Sequence, residues 1–254
     1  MPKSVNRSAI DESMRISRVY CPEVDAKTTQ VRLSKSLSHY LIQVLRNKKH
    51  ATVILFNNQD SYEYYADITE ANAKQTIVAI TARKIKNNES NITINIFQAI
   101  AKGDKFSTIV QKSTELGITS ITPVITEYAH ANIADNKIGR WQTIAIHAAE
   151  QSGRVFFPII HPIATLGEVL SKKSSINLIL SPNATKTIKQ LTTEHPKAQS
   201  FNILIGPEGG FSQNETTLAA KAGYNSIALG SRILRTETAP IAISAILQTL
   251  WGDF

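Results

Sequence analysis

The sequence predicts an α/β protein in which a small β-rich domain precedes a parallel sheet covered by helices. Two observations support this fold class. Short segments rich in Val, Ile, Thr and Tyr fill residues 15–85, as is typical of strands. From residue 92 onward, strand-like and helix-like segments alternate, and three helix–Gly–strand junctions favour parallel strands.

The first domain is expected to be a small β-barrel. Its helix-like piece is 38–45, and residues 57–60 form a polar turn. Residues 1–14 are polar and predict a flexible leader. The predicted strands are 16–20, 30–33, 52–56, 62–68 and 76–82.

A polar stretch without periodicity, 83–91, separates the strand-rich first region from the alternating strands and helices of the second. We assign 86–91 as the linker, which gives a first domain at 15–85 and a second at 92–254.

The second domain is predicted to alternate strands with amphipathic helices. Asp104 is expected to cap a helix that ends at Gly117, and a helix containing Trp141 is expected to end near Gly153. Ser212 and Glu215 have capping-box spacing and open a helix that ends at Gly223. The last helix places Ile243, Ile246, Leu247 and Leu250 on one stripe. The predicted strands are 92–101, 118–125, 178–180, 203–205 and 227–229.

The net charge of +8 is uneven along the chain. Residues 1–50 carry ten Lys and Arg against four Asp and Glu, whereas residues 91–254 carry fourteen against eleven. A basic first region favours binding to a polyanion such as nucleic acid, and a basic surface that aids solubility is the alternative.

Cysteine usage and hydropathy suggest a reducing, cytosolic setting. Cys21 is the only cysteine, which excludes an intramolecular disulfide and predicts a packing residue. No apolar run is long enough for a membrane helix, and the N-terminus lacks the apolar region of a secretory signal.

The first candidate functional loop is 206–210, Gly-Pro-Glu-Gly-Gly, directly after a predicted strand. Ligands of parallel α/β sheets bind outside the carboxyl ends of the strands. Glycines allow a ligand to approach the backbone closely, and the N–H groups of the helix at Ser212 are suited to a ligand carboxylate. Glu208 is suited to ribose hydroxyls or an amine. A tight turn without a ligand is the alternative.

The second candidate loop, 229–239, concentrates two arginines, a glutamate and two threonines before the last helix. Thr236 or Thr238 is expected to cap that helix, with Pro240 in its first turn. Capping does not explain both Arg232 and Arg235.

A third cluster, 147–154, places Glu150, Gln151 and Arg154 at the end of a helix, where they are expected to face the end of the sheet. His147 and Glu150 lack the further ligands that a metal site needs, so we predict no metal. Walker A, G-x-G-x-x-G and G-x-S-x-G motifs are absent from the sequence.

At these loops the sequence resembles the ribosomal small subunit methyltransferase E family, within the SPOUT class of methyltransferases. The resemblance is carried by GPEGGFS at 206–212, ALGSRILRTETA at 228–239, LSPNA at 180–184, and the segments 99–127 and 140–160. SRVYCP at 17–22 and HYLIQVLR at 39–46 fit the family's RNA-binding domain. One departure is Glu127-Tyr128, where the family usually has Glu-Arg.

The resemblance implies a PUA-like β-barrel followed by a SPOUT domain with a deep trefoil knot. It implies a cytoplasmic homodimer that methylates N3 of one specific uridine of 16S rRNA in the assembled small subunit, using S-adenosylmethionine (SAM). The implied cofactor contacts are Leu180, Ser181, Pro182, Gly206, Pro207, Glu208, Gly209, Gly210, Leu229, Gly230, Ile233, Leu234, Thr238 and Ala239.

The removal of the uracil N3 proton calls for a base and a nearby cation. The catalytic candidates are Arg235, Glu237, Arg154 and Arg18. The candidates for RNA contacts are Arg15, Arg18, Arg32, Arg46, Lys48, Lys49, Lys102 and Arg232. Two alternatives stay open: methylation of another RNA, and a non-catalytic factor in ribosome assembly.

Overall fold

The computed structural model describes residues 16–129 and 136–254. These residues form two compact units. The first contains the described residues up to Asn88 together with Glu150–Phe156, and the second contains Glu89–Ala149 and Phe157–Phe254. The proposed leader 1–14 lies outside the described residues.

The first unit is built on one five-stranded sheet with the order β1-β3-β4-β5-β2. Only the β1–β3 pair is parallel. A short helix α1 (Lys35–His39) begins at Ser34, whose side chain accepts from the Leu37 N–H, and it continues as a π-helical turn, Tyr40–Val44. The strands are β1 (Ser17–Tyr20), β2 (Gln30–Arg32), β3 (Thr52–Phe56), β4 (Tyr62–Glu70) and β5 (Ile77–Ile85).

Strand β5 extends three residues beyond its predicted end at residue 82. Ladder pairing with β4 continues to the pair Tyr62↔Ile85, and Lys84 lies over the Tyr65 ring at 4.5 Å. Backbone pairing does not require apolar side chains, so the polar stretch did not mark the end of the strand. Cys21 is fully buried in this unit's core, as predicted.

The second unit contains a seven-stranded sheet in which every pair is parallel. Its main order is β12-β10-β11-β6-β7-β8, and β9 pairs with β7. The strands are β6 (Thr93–Ala99), β7 (Ser120–Ile125), β8 (Ile159–Ile160), β9 (Ala164–Thr165), β10 (Ile176–Leu180), β11 (Ser200–Ile205) and β12 (Asn225–Ile227). The parallel sheet predicted from the alternating segments is confirmed.

Helices cover this sheet with the apolar faces that the sequence predicted. Phe106 stacks on Trp141 with ring centroids 4.0 Å apart, and Ile243 and Leu247 are fully buried. Leu250 differs from the prediction because it is 42% exposed in the last turn. The helices are α2 (Lys105–Glu115), α3 (Asn136–Ser152), α4 (Leu166–Leu170), α5 (Ile188–Glu194), α6 (Gln213–Lys221) and α7 (Thr238–Trp251).

Two predicted helix caps are wrong, and one is confirmed. Asp104 precedes α2 but makes no capping bond, because its carboxylate accepts from the Ser107 hydroxyl and from Arg140 instead. Neither Thr236 nor Thr238 caps α7, which begins after Glu237 without a side-chain cap. The Ser212 capping box at α6 is present in full.

Among the described residues, no helix combines the length and apolarity that crossing a lipid bilayer requires. In the same part of the chain, no three His, Cys, Asp or Glu side chains gather as a metal site would require.

Candidate active site

Three loops of the second unit meet because the strands that precede them are neighbours. Strands β12, β10 and β11 are adjacent and parallel, so their carboxyl ends lie at the same edge of the sheet. The loops that follow begin at Ser181, Gly206 and Ala228. This edge is where parallel α/β sheets bind their ligands.

The three loops enclose a cavity of about 630 Å³, which lies in the range of small-molecule sites. Seven of its lining residues are isoleucine or leucine, and four are glycine. The lining residues are Lys105, Ile179, Leu180, Ser181, Pro182, Asn183, Ile205, Gly206, Pro207, Glu208, Gly209, Gly210, Phe211, Thr216, Ile227, Leu229, Gly230, Arg232, Ile233, Leu234, Arg235, Thr236 and Ala239.

The glycines of 206–210 are required for different reasons. A Cβ on Gly209 would lie 3.1 Å from the Cβ of Tyr128, so Gly209 makes room for that side chain. A Cβ on Gly206 would come within 3.3 Å of Phe211 and of the Gly210 backbone. Gly210 has φ +72 with open space in front of it. Of these three glycines, only Gly210 combines a left-handed backbone with open space through which a ligand can approach the backbone.

Thr236 fastens the loop after β12 to the loop after β11. Its hydroxyl donates to the Gly206 carbonyl at 2.7 Å and accepts from the Gln98 amide at 3.0 Å. Both Thr236 and Gln98 are buried. The conformations of the two loops are therefore coupled through one side chain.

Three charged residues of the cavity lining, Lys105, Glu208 and Arg235, lie close to one another and to Glu237, which is outside the lining. Lys105 Nζ lies 2.6 Å from Glu208 Oε1 and 3.8 Å from Glu237 Oε2, and Arg235 lies 3.9 Å from Glu237 Oε1. The hydrogen bond to Glu208 raises the pKa of Lys105. Partial burial favours a higher pKa for Glu208, but the bond from Lys105 and backbone N–H groups outweigh it and lower that pKa. Both partners therefore stay charged at neutral pH.

Comparison with known proteins places this arrangement in a family. Residues 88–248 match the family model described as an RNA methyltransferase domain. The ribosomal RNA small subunit methyltransferase E of Buchnera aphidicola from Schizaphis graminum is 36% identical over 94% of this chain and 98% of its own length. The enzyme of the same name from Rickettsia conorii is 33% identical over 92% and 95%.

The chain belongs to the ribosomal RNA small subunit methyltransferase E family. Two solved structures agree with this assignment. The family member from Neisseria gonorrhoeae, bound to S-adenosyl methionine, has a TM-score of 0.87 and 37% identity over 94% of this chain and 99% of its own. A methyltransferase from Legionella pneumophila in complex with SAM has a TM-score of 0.88 and 34% identity, with the same two coverages.

All of the cofactor contacts expected for this family member line the cavity except Thr238. Thr238 is the first residue of α7 and is exposed. The sequence had not singled out several other lining residues, including Lys105, Asn183, Phe211 and Thr216. Of these four residues, only Lys105 could have been recognised in the sequence as a site candidate. It is a cation that follows strand β6 closely and stands at the start of a helix.

The start of helix α6 is less open to a ligand than the sequence suggested. The buried Glu215 carboxylate accepts from the Ser212 N–H at 2.9 Å and from the Glu127 N–H at 2.8 Å. The Ser212 hydroxyl accepts from the Glu215 N–H. The protein's own carboxylate therefore takes the place that we had expected for a ligand carboxylate.

Two of the catalytic candidates of this family member, Arg18 and Arg154, belong to the first unit. Arg18 lies 3.0 Å from Glu63, donates to the carbonyls of Glu150 and Arg154, and lies 5.1 Å from the Phe56 ring. Only 12% of its side chain is exposed, and burial lowers its pKa although Glu63 opposes this. These contacts favour a structural role for Arg18.

Within the first unit, Glu150 of the third cluster contacts strand β1. The Glu150 carboxylate accepts from the Tyr20 N–H at 3.0 Å, and Glu150 and Arg154 are buried. Both residues group with the five-stranded sheet, whereas the sequence had suggested the end of the parallel sheet.

The cations expected to contact RNA lie mostly on the surface. Arg15 is outside the described residues, and the side chain of Arg18 is only 12% exposed, as given above. Arg46 has φ +57 in the turn that carries the exposed Lys48 and Lys49. The exposed members are Arg32, Arg46, Lys48 and Lys49 in the first unit and Lys102 and Arg232 in the second.

Proposed function

We propose that this chain transfers a methyl group from SAM to N3 of one uridine of 16S rRNA in the assembled small ribosomal subunit. The observation that carries the proposal is the cavity built by the loops after β10, β11 and β12. Its setting in a chain of the methyltransferase E family supports the RNA substrate. Relatives with SAM bound support the methyl donor.

The residues present fit a nucleoside with a charged tail. Leu180, Leu229 and Leu234 offer apolar surface, and Gly210 and Gly230 (φ +92) leave open space at the backbone. The cavity also contains charged side chains at Lys105 and Glu208. SAM bound here would supply a methyl group on a sulfonium centre.

The protein has to remove the uracil N3 proton and stabilise the resulting negative charge. Glu237 is the candidate proton acceptor because its buried Oε2 has no hydrogen-bond partner among the described residues, and Lys105 Nζ, at 3.8 Å, lies beyond hydrogen-bond distance. Arg235 is the candidate cation, since it lines the cavity with 82% of its side chain exposed. Arg232 and the exposed cations of the first unit are suited to RNA phosphates.

The remaining expectations of the family resemblance belong to this proposal. They are domains at 15–85 and 92–254 joined by 86–91, a PUA-like first domain, a SPOUT trefoil knot, a homodimer and action in the cytoplasm. Leu250 in the last turn of α7 and Phe254 beyond its end are exposed and would be available to an interface between two copies.

The activity is tested with small subunits from a strain that lacks the N3-methyl mark. The purified chain with SAM should restore a stop in primer extension, because N3 methylation blocks base pairing. Glu237→Gln should lower the methylation rate by about 100-fold, the lower range for loss of a general base. Arg140→Met is the control, since Arg140 is exposed and pairs with Asp104.

A primer-extension stop on tRNA or 23S rRNA, and not on 16S rRNA, would favour the alternative in which another RNA is methylated. Absence of any SAM binding by the wild-type chain would favour the non-catalytic reading.

A further inference from the structure

The ion pair between Lys105 and Glu208 stands in the wall of the cavity, where neither side chain is fully withdrawn from solvent. The exposed fractions of the two side chains are 33% and 39%. The residues are 103 positions apart in the sequence, so the tertiary fold brings them together. A pair in this position can exchange partners when a charged ligand arrives.

The charges around this pair select the kind of ligand. Lys105 and Arg235 are cationic, Glu208 and Glu237 are anionic, and the four lie in a chain of contacts of 2.6–3.9 Å. A ligand with a single charge of either sign would meet a like charge. A ligand that carries both signs finds a partner for each.

Among the described residues that line the cavity, Glu208 is the only acid. The ammonium group of a ligand therefore has one carboxylate to bind in the wall. If Glu208 takes that ammonium, the Lys105 ammonium is released for the carboxylate of the same ligand. One internal ion pair is replaced by two ion pairs with the ligand.

We infer that Lys105 and Glu208 form a subsite for an α-amino acid group, with Lys105 on the carboxylate and Glu208 on the ammonium. The inference rests on the proposed function, since the methionine end of SAM is such a zwitterion. It adds Lys105 to the site and gives Glu208 a specific partner.

The test compares two ligands by calorimetry without RNA. S-adenosylhomocysteine carries the amino acid group, and 5′-methylthioadenosine lacks it. Lys105→Met and Glu208→Gln should each weaken S-adenosylhomocysteine about tenfold, as expected for a lost charged hydrogen bond. Their affinity for methylthioadenosine should stay within about twofold of wild type. Lys112→Met is the matched control, because Lys112 pairs with Glu115 on the same helix outside the cavity lining.

An equal loss for both ligands would overturn the inference, because it would show a general distortion of the cavity. An unchanged affinity for S-adenosylhomocysteine would overturn it as well. Lys105 and Glu208 would then be available for contacts with the RNA instead. Failure of the wild-type chain to bind either ligand would instead count against the proposed function.

Discussion

At the scale of single residues, the glycines with left-handed backbones separate two demands that look the same in the sequence. Gly210 and Gly223 have φ of +72 and +87, and a Cβ on either would meet nothing within 4 Å. Gly223 follows the end of α6, whereas Gly210 lines the cavity. Gly223 is therefore needed for the turn alone, whereas we expect Gly210 to contact the ligand as well.

We expect Gly210→Ala and Gly223→Ala to lower the free energy of unfolding by a similar amount, about 1 kcal/mol each, because both force an L-residue into the left-handed region. Only Gly210→Ala should weaken SAM, by about tenfold, because its methyl group occupies the approach to the backbone. Urea unfolding and calorimetry measure the two quantities.

Equal SAM affinities of the two glycine variants would contradict this assignment of Gly210. Gly209 is a poorer probe, because a side chain there would collide with Tyr128 before it could report on a ligand.

Cys21 shows a residue whose environment could be foreseen. The sequence predicted that Cys21 is a packing residue, and the thiol is buried and donates to Glu23. Burial, assisted by Glu23, raises the pKa of this thiol to about 12. The thiolate is therefore scarce at neutral pH, which fits a packing residue.

At the scale of elements, the decisive feature is how the loops after β11 and β12 are held together. Thr236 was predicted as a helix cap, yet its hydroxyl bonds the Gly206 carbonyl and accepts from Gln98. A cap is a local interaction and can be read from nearby residues. A bond across 30 positions to another loop depends on strand order, so the sequence alone did not predict it.

Thr236→Val should lower the free energy of unfolding by about 2 kcal/mol, because it leaves the Gly206 carbonyl and the Gln98 amide without that partner. It should also weaken SAM, since the two loops are no longer fastened. Thr238→Val is the control, because Thr238 is exposed and does not cap α7.

Thermal unfolding and calorimetry on the two threonine variants provide the comparison. Identical behaviour would mean that the hydroxyl of Thr236 does not hold the loops.

At the scale of the whole molecule, the first unit contains a segment that the sequence places far from it. Glu150–Phe156 includes the last three residues of α3, whose earlier residues belong to the second unit, but it groups with the five-stranded sheet. Arg18 donates to the carbonyls of Glu150 and Arg154, and the Tyr20 N–H donates to Glu150. The first unit is therefore discontinuous in sequence. A single domain boundary placed at the polar stretch 83–91 could not include the segment Glu150–Phe156 in the first domain.

Arg18→Met should lower the free energy of unfolding by about 3 kcal/mol, because it leaves a largely buried Glu63 without its main cation. Lys86→Met should cost far less, because Lys86 lies 3.9 Å from Glu63 and is 39% exposed. The Arg18→Met, Glu63→Gln double variant should recover part of the loss.

Denaturant unfolding of the single and double variants measures this coupling. A stable Arg18→Met protein that has lost RNA binding would argue for the RNA role of Arg18 instead.

The sequence by itself predicted most strands and helices in their order, the parallel sheet and the two loops at 206–210 and 229–239, but not the short elements β8, β9, α4 and α5. These features depend on local periodicity and on the conformational freedom of glycine. Both can be recognised from residues that are close together in the chain. The tertiary structure decided the partners of the charged and polar side chains: Lys105 with Glu208, Thr236 with Gly206, and Arg18 with Glu63. Such pairs join residues that are distant in sequence, and their geometry exists only once the strands have assembled.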